Sequence, residues 1–232
     1  MSRITNPGRF AGGLYVVTSI FGFFAMGYVP NRLIVYGDAA ATANNISAHE
    51  TLFRLGIASQ LIGMAGFIFV ALALYELLKS VDRRQAALMV VLIVVSVPIA
   101  FLNEVNSMAA LALVRGADFL SAFEKPQRDA LAMLFVNLHG RGLVLSELFW
   151  GLWLLPLGYL VYKSRFLPRF LGVWLVLAGF GWVILCFTGI LLPEYAGKLN
   201  TYFQPFILGE IAFMLWLVIK GAKPPQIDAA AR

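Results

Sequence analysis

The sequence predicts an all-α fold: an integral membrane bundle of about six transmembrane helices, with cytoplasmic N- and C-termini. Three observations carry this. Of 232 residues, 60% are hydrophobic and 13% charged, whereas soluble domains run near half and a quarter. Mean hydropathy is +0.81. Six stretches reach the roughly 20 apolar residues needed to cross about 30 Å of hydrocarbon. A water-soluble globule of this size has too few charged groups to clothe its surface while hiding so much apolar side chain, so its solvent is largely hydrocarbon. A single cysteine, Cys186, excludes an internal disulfide framework.

The first stretch runs approximately over 10–35. It is longer than a signal-peptide core and lacks a small-residue cleavage pattern, so it is expected to remain as an anchor. The second, 51–78, carries Gly56, Ser59, Gly63 and Gly66 at spacings of three, four and three, a stripe that lets another helix approach closely. The third and fourth, 85–114 and 129–162, exceed a straight crossing and are expected to tilt or extend into the headgroups. Each holds an interior proline, Pro98 and Pro156, where a local kink is expected. The fifth and sixth cover 170–192 and 205–219. All six belong to a single expected transmembrane domain spanning 1–232. Tight connections fall at 79–84 and 163–169, and longer ones at 36–50, 115–128 and 193–204. The triplet Asn45-Ile46-Ser47 in the first long connection fits a glycosylation acceptor.

The net charge of +6 and the pI near 9.6 raise the question of nucleic acid. The basic residues sit in short connections, and no basic helix face interleaved with aromatics exists, so no nucleic-acid partner is expected. Their distribution sets orientation instead. With the N-terminus inside, Arg3, Arg9, Lys79, Arg83, Arg84, Lys163, Arg165, Arg169, Lys220, Lys223 and Arg232 lie on one side. Arg32, Arg115, Lys125, Arg128 and Lys198 lie on the other. This two-to-one bias puts the larger group in the cytoplasm.

Ionisable residues inside apolar segments cost about 2.5–3.5 kcal/mol each on insertion scales, so each needs a partner, a cavity or an interfacial position. At 1.5 Å per residue from the cytoplasmic helix ends, Glu210 lies about 14 Å deep, Glu147 about 22 Å, and Glu104 and Gln60 about 26–27 Å. Arg54, His139 and Arg141 come out at roughly 31–36 Å. Charge is thus dense toward the outer side and thins to one mid-membrane carboxyl. The expectation is an outward-opening polar pocket lined by Arg54, Gln60, Asn103, Glu104, Asn106, Asn137, His139, Arg141, Glu147 and Glu210, with Ser107 in the same layer and Glu210 near its floor. The bland counterpart is that a Glu–Arg pair merely locks two helices together.

Several chemistries lack their residues. His49-Glu50 begins like a zinc-protease motif, but Phe53 occupies the place of the second histidine. A looser metal set of His49, His139 and Glu104 or Glu147 stays open. No G-x-S-x-G elbow is present, and Ser146 lies two turns from His139. No phosphate-cradling glycine loop with lysine occurs, and two outer-side histidines do not suit haem, so no cofactor is expected.

The stretch from Tyr36-Gly37-Asp38 to Asn45-Ile46 resembles a group of small multi-pass membrane proteins. So do Phe149-Trp150-Gly151-Leu152-Trp153-Leu154-Leu155-Pro156-Leu157-Gly158, Phe166-Leu167-Pro168-Arg169-Phe170-Leu171-Gly172, and Gly209-Glu210 with Leu215-Trp216-Leu217. The group is catalogued as the domain of unknown function 4386 family. The resemblance covers nearly the whole chain and implies a bacterial inner-membrane protein of about six spans. It brings no activity, substrate or catalytic residue.

Three function classes follow. The first is a carrier or sensor for a small polar or amphiphilic ligand, with Glu210 exchanging protons. The second is a membrane-embedded enzyme, metal-dependent or not, using His139 and a carboxylate. The third is a non-catalytic helper subunit of a membrane complex. The expected partners are accordingly the lipid bilayer, such a ligand, and another membrane protein or a second copy of the chain.

Overall fold

A computed structural model describes residues 6–224. Among them the chain is all-α: α1 (Pro7–Phe23), a π-helical turn (Phe24–Tyr28), α2 (Val29–Leu33), α3 (Ala39–Ala48), α4 (Glu50–Leu78), α5 (Arg83–Arg115), a 3-10 turn (Asp118–Leu120), α6 (Lys125–Leu152), α7 (Leu154–Lys163), α8 (Arg169–Leu191) and α9 (Pro193–Ile219). Six continuous helical runs are long and apolar enough to cross a membrane: Pro7–Leu33, Glu50–Leu78, Arg83–Arg115, Lys125–Lys163, Arg169–Leu191 and Pro193–Ile219. The protein is a multi-pass, six-helix membrane bundle. The expected cytoplasmic placement of the termini rests on ends, 1–5 and 225–232, that lie outside the described residues.

Prolines mark where the helices depart from regularity. Pro30 has no N–H to offer the carbonyl of Met26, and the first span widens just before it into the π turn, closed by Val29 N–H donating to Phe24 O. The fourth span breaks at Trp153, shortly before Pro156, and the Leu157 N–H reaches the Trp153 carbonyl only at 3.4 Å. The segment 193–204, expected as a connection, is helical and forms the first half of α9. Its polar residues Lys198, Asn200 and Gln204 break the apolar run without breaking the helix. Pro193 is tolerated because the first helical N–H has no intrahelical partner in any case. Residues 36–50 are likewise largely helical. Asp38 caps α3 by accepting from Ala41 N–H at 2.8 Å. Within α3, Ile46 is fully buried and the Asn45 amide donates to Leu33 O at 3.2 Å, which removes the glycosylation reading.

The chain divides into two compact units, to which α1, α4, α5 and α6 each contribute. Within the described residues the first comprises 6–16, 67–95 and 147–224. Its core gathers Leu74, Leu77, Met89, Trp153, Leu157, Leu160 and Phe213, all fully or almost fully buried. Glycines set its helix spacing. A Cβ on Gly158 would stand 2.7 Å from Gly172 O, and one on Gly151 2.5 Å from Gly179 O, so α8 is held against the fourth span at backbone contact. The start of α1 docks on the end of α9: Gly8 N–H donates to Ala222 O at 3.0 Å, and Ala222 N–H to Asn6 Oδ1 at 3.1 Å. Trp174 Nε1 donates to Pro205 O at 3.0 Å across the space that Gly209 leaves by lacking a side chain.

The second unit comprises 17–66 and 96–146. Its apolar core is built from Val29, Leu33, Ile46, Phe53, Ala110, Ala132 and Val136. The glycines of α4 face the first span. A Cβ on Gly56 would meet Val29 Cγ1 at 3.1 Å, and one on Gly66 would meet Thr18 Cγ2 at 2.7 Å. This close approach brings the π turn, α4, α5 and α6 around one cavity.

Candidate functional site

The cavity lies wholly within the second unit. Met26, Val29, Leu33, Phe53, Ile57 and Val136 belong to its apolar wall, and Gln60, Glu104, Ser107 and His139 supply its polar groups. Each element contributes through helical spacing. On α4, Phe53, Gly56 and Gln60 recur at three and four residues, and on α5, Glu104 and Ser107 are three apart, so each set shares a face. The π turn places Met26 against the cavity, at the irregularity that Pro30 imposes.

His139 is the hub. Its Nδ1 lies 3.2 Å from Ser107 Oγ, 3.3 Å from Asn103 Nδ2, 3.4 Å from the Asn103 carbonyl and 3.7 Å from Glu104 Oε1. Asn103 Nδ2 also donates to the His139 carbonyl at 3.0 Å, tying α5 to α6. Asn106 Nδ2 in turn donates to Asn103 O and Oδ1, both at 3.2 Å. Among the described residues, every polar contact of the ring falls on Nδ1 and none on Nε2. Glu104 is 4% exposed and Gln60 5%, so both carry their polarity inside the bundle.

Nδ1 is thus surrounded by groups of both kinds. When it carries the proton it donates to the Asn103 carbonyl or toward Glu104, and Nε2 holds a lone pair. When it is bare it accepts from Ser107 or Asn103, and Nε2 holds the proton. The ring can act as base or acid without moving. A serine relay is not formed, because that needs serine and carboxylate on opposite ring nitrogens, and here both address Nδ1.

The other sequence-selected residues are placed differently. Arg54 is exposed and bonded to Glu50 Oε1 at 2.7 Å, one turn away on the same helix. Arg115 approaches the other oxygen of Glu50 at 3.8 Å. Asn137 and Arg141 are exposed. Glu147 and Glu210 belong to the first unit and do not line this cavity. Glu210 accepts a hydrogen bond from the Tyr15 hydroxyl. Tyr15 packs edge-on to Phe67 at 5.3 Å and beside Trp153 at 6.2 Å. His49 is exposed, with Nδ1 3.1 Å from Asn45 O. Among the described residues no three His, Cys, Asp or Glu side chains converge as metal ligands, so the looser set of His49, His139 and a carboxylate is not assembled.

Two residues of the polar network escape sequence reasoning. A Cβ on Gly142 would fall 2.0 Å from Asn103 Oδ1, so the absence of a side chain there is what admits the Asn103 amide. Tyr15 reads as one more aromatic in an apolar span, and only its hydroxyl hints at the buried partner.

Comparison with known proteins gives the same architecture a family. A family model described as "Domain of unknown function (DUF4386)" matches residues 10–221. An archaeal protein from Archaeoglobus fulgidus, described as an uncharacterized protein, is 31% identical over 163 residues, covering 69% of this chain and 80% of the relative. The restriction to bacteria implied by the resemblance therefore does not hold, since a similar protein occurs in an archaeon. No solved structure matches.

Proposed function

We propose an enzymatic role for this chain, which belongs to the domain of unknown function 4386 family: a membrane-embedded enzyme that holds an amphiphilic molecule in the cavity of its second unit and moves a proton through His139. The observation that carries this is the asymmetry of the His139 ring, crowded at Nδ1 and without a polar contact at Nε2 among the described residues, in a residue that lines a cavity. Nδ1 contacts of this kind fix ring orientation, and an available Nε2 does acid–base work. Glu104 is the partner carboxylate, steadying the imidazolium while the ring is doubly protonated. Asn103 and Ser107 position the ring. The small cavity, about 50 Å³, with its four polar groups suits the head of such a substrate, whose hydrocarbon body stays in the bilayer. The setting is the cytoplasmic membrane, whose lipid supplies both solvent and route of entry.

The carrier reading places proton exchange on Glu210, and the Tyr15 hydroxyl bonded to that carboxyl is the feature in its favour. It ranks second because the group it relies on does not line the cavity. The two separate in one experiment. Membranes from cells making wild type, His139→Gln or Glu210→Gln protein in equal amount are extracted, and their amphiphiles compared by mass spectrometry. The enzyme reading expects a species that wild type and Glu210→Gln convert and that accumulates with His139→Gln. Identical profiles for wild type and His139→Gln would overturn it.

A further inference from the structure

The charge of the cavity selects its ligand. Its polar lining is one carboxylate, one imidazole, one amide and one hydroxyl, and among the described residues no lysine or arginine lines it. With Glu104 ionised and His139 neutral the site carries a single negative charge, and with His139 protonated the two cancel at 3.7 Å. With Glu104 ionised there is thus no net positive charge. Of the basic groups on neighbouring helix ends, Arg54 and Arg115 share Glu50, Lys125 is bonded to Asp129 at 2.7 Å, and Arg32 lies over the Tyr28 ring. An anionic head such as a phosphate or carboxylate would meet Glu104 and find no lysine or arginine among the lining residues, a juxtaposition that disfavours it. A hydrogen-bond-donating head finds acceptors in Glu104, in the Gln60 carbonyl and in the Ser107 oxygen.

Resting on the acid–base reading of His139, we infer that the cavity binds an amphiphile whose head donates hydrogen bonds and carries no negative charge, a primary ammonium foremost. Glu104 supplies the charge complement, and Gln60, from α4, the second acceptor. The cavity, about 50 Å³, takes the head, and the tail runs along the apolar residues of the π turn, α2 and α4 into the bilayer. Ordinary phospholipids, with their anionic phosphates, are thereby the solvent of this protein and not its ligands.

The test uses the full chain in phosphatidylcholine nanodiscs, with empty nanodiscs as baseline. Saturable binding of tritiated dodecylamine is measured, then its displacement by dodecanol and by dodecyl phosphate, which share the tail and differ only in head. The expected order is dodecylamine, then dodecanol, with dodecyl phosphate weaker than dodecylamine by at least about tenfold. Glu104→Gln lowers dodecylamine affinity by about tenfold and leaves dodecanol within about twofold. Displacement by dodecyl phosphate as strong as by dodecylamine overturns the inference, and so does a lack of saturable binding above the baseline. The wild-type selectivity needs no variant to fold. Failure here with His139-dependent conversion intact removes only the ligand class. Selectivity as expected, without any conversion that depends on His139, leaves a binding site and removes the enzyme.

Discussion

Replacing Gly142 with alanine disturbs the His139 site without touching any of its polar groups. The new Cβ would stand 2.0 Å from Asn103 Oδ1 and 2.4 Å from its Cγ, whereas carbon and oxygen in ordinary contact sit near 3.3 Å. The amide must therefore retreat by about 1.3 Å. Its bonds to the His139 carbonyl, at 3.0 Å, and to Nδ1, at 3.3 Å, then exceed the hydrogen-bonding range. Two bonds worth about 0.5–1.5 kcal/mol each put the loss near 1–3 kcal/mol. The unfolding midpoint, followed by tryptophan fluorescence in detergent, should fall by about 2–4 °C per kcal/mol for a chain of this length. The second readout is local. In a His49→Gln background, nitrogen NMR of the remaining imidazole reports its tautomer. Losing the Asn103 donor should move the proton toward Nδ1, where the Asn103 carbonyl and Glu104 still accept. Gly140→Ala is the control, since nothing lies within 4 Å of its Cβ. It should hold or slightly raise the midpoint, as alanine does for glycine in helices. An unchanged midpoint and an unchanged imidazole spectrum in Gly142→Ala would refute the role given to Asn103.

Other substitutions test the remaining assignments. Tyr15→Phe removes the donor to Glu210 and should cost about 1.5–3 kcal/mol in thermal unfolding; Glu210→Gln keeps an acceptor for the hydroxyl and should cost less, so the reverse order would contradict the pairing. Gly158→Ala forces a methyl to within 2.7 Å of both Gly172 O and Val176 Cγ2, and a destabilisation of about 1–3 kcal/mol is expected; an unshifted midpoint would deny backbone contact there. Arg54→Gln breaks an exposed pair one turn apart on the same helix and should change stability by no more than about 0.5 kcal/mol while leaving dodecylamine binding intact. A large loss of binding would return Arg54 to the site.

The number of spans was legible because hydrocarbon imposes a length on every crossing, and hydropathy reads that length directly. Where a crossing continues as a polar helix the signal fails, as in the first half of α9, where Lys198, Asn200, Gln204 and Pro205 look like a loop. The candidate site was legible in part for a related reason. A buried polar side chain stands out in an apolar segment, and Gln60, Asn103, Glu104 and His139 all did. Depth along the axis says nothing of the face, however. Asn137 and Arg141 share the depth of His139 but lie two residues either side, about 200° around the helix, and both are exposed. Arg54 was ambiguous for a different reason: an arginine near a helix end finds a same-helix carboxylate as readily as a distant one. Gly142 could not be found at all, since its contribution is the space it leaves for a side chain on another helix.

A purely structural role for His139 makes a different demand on the ring. A histidine that only joins two helices needs one fixed set of partners. The α5–α6 junction already has its tie without the imidazole, through Asn103 Nδ2 and the His139 main-chain carbonyl. As a lock, the side chain would add little to that tie. Around Nδ1, by contrast, a carbonyl and a carboxylate that accept stand beside a hydroxyl and an amide that donate. A single fixed tautomer would need only one kind. Partners of both kinds accommodate two protonation patterns, and Nε2, which makes no polar contact among the described residues, is left to take up or give the proton. A helper subunit would use that nitrogen to bond a neighbouring protein, which buries the cavity mouth and abolishes dodecylamine binding in the assembled complex. An enzyme keeps both the nitrogen and the cavity open to a ligand arriving from the bilayer.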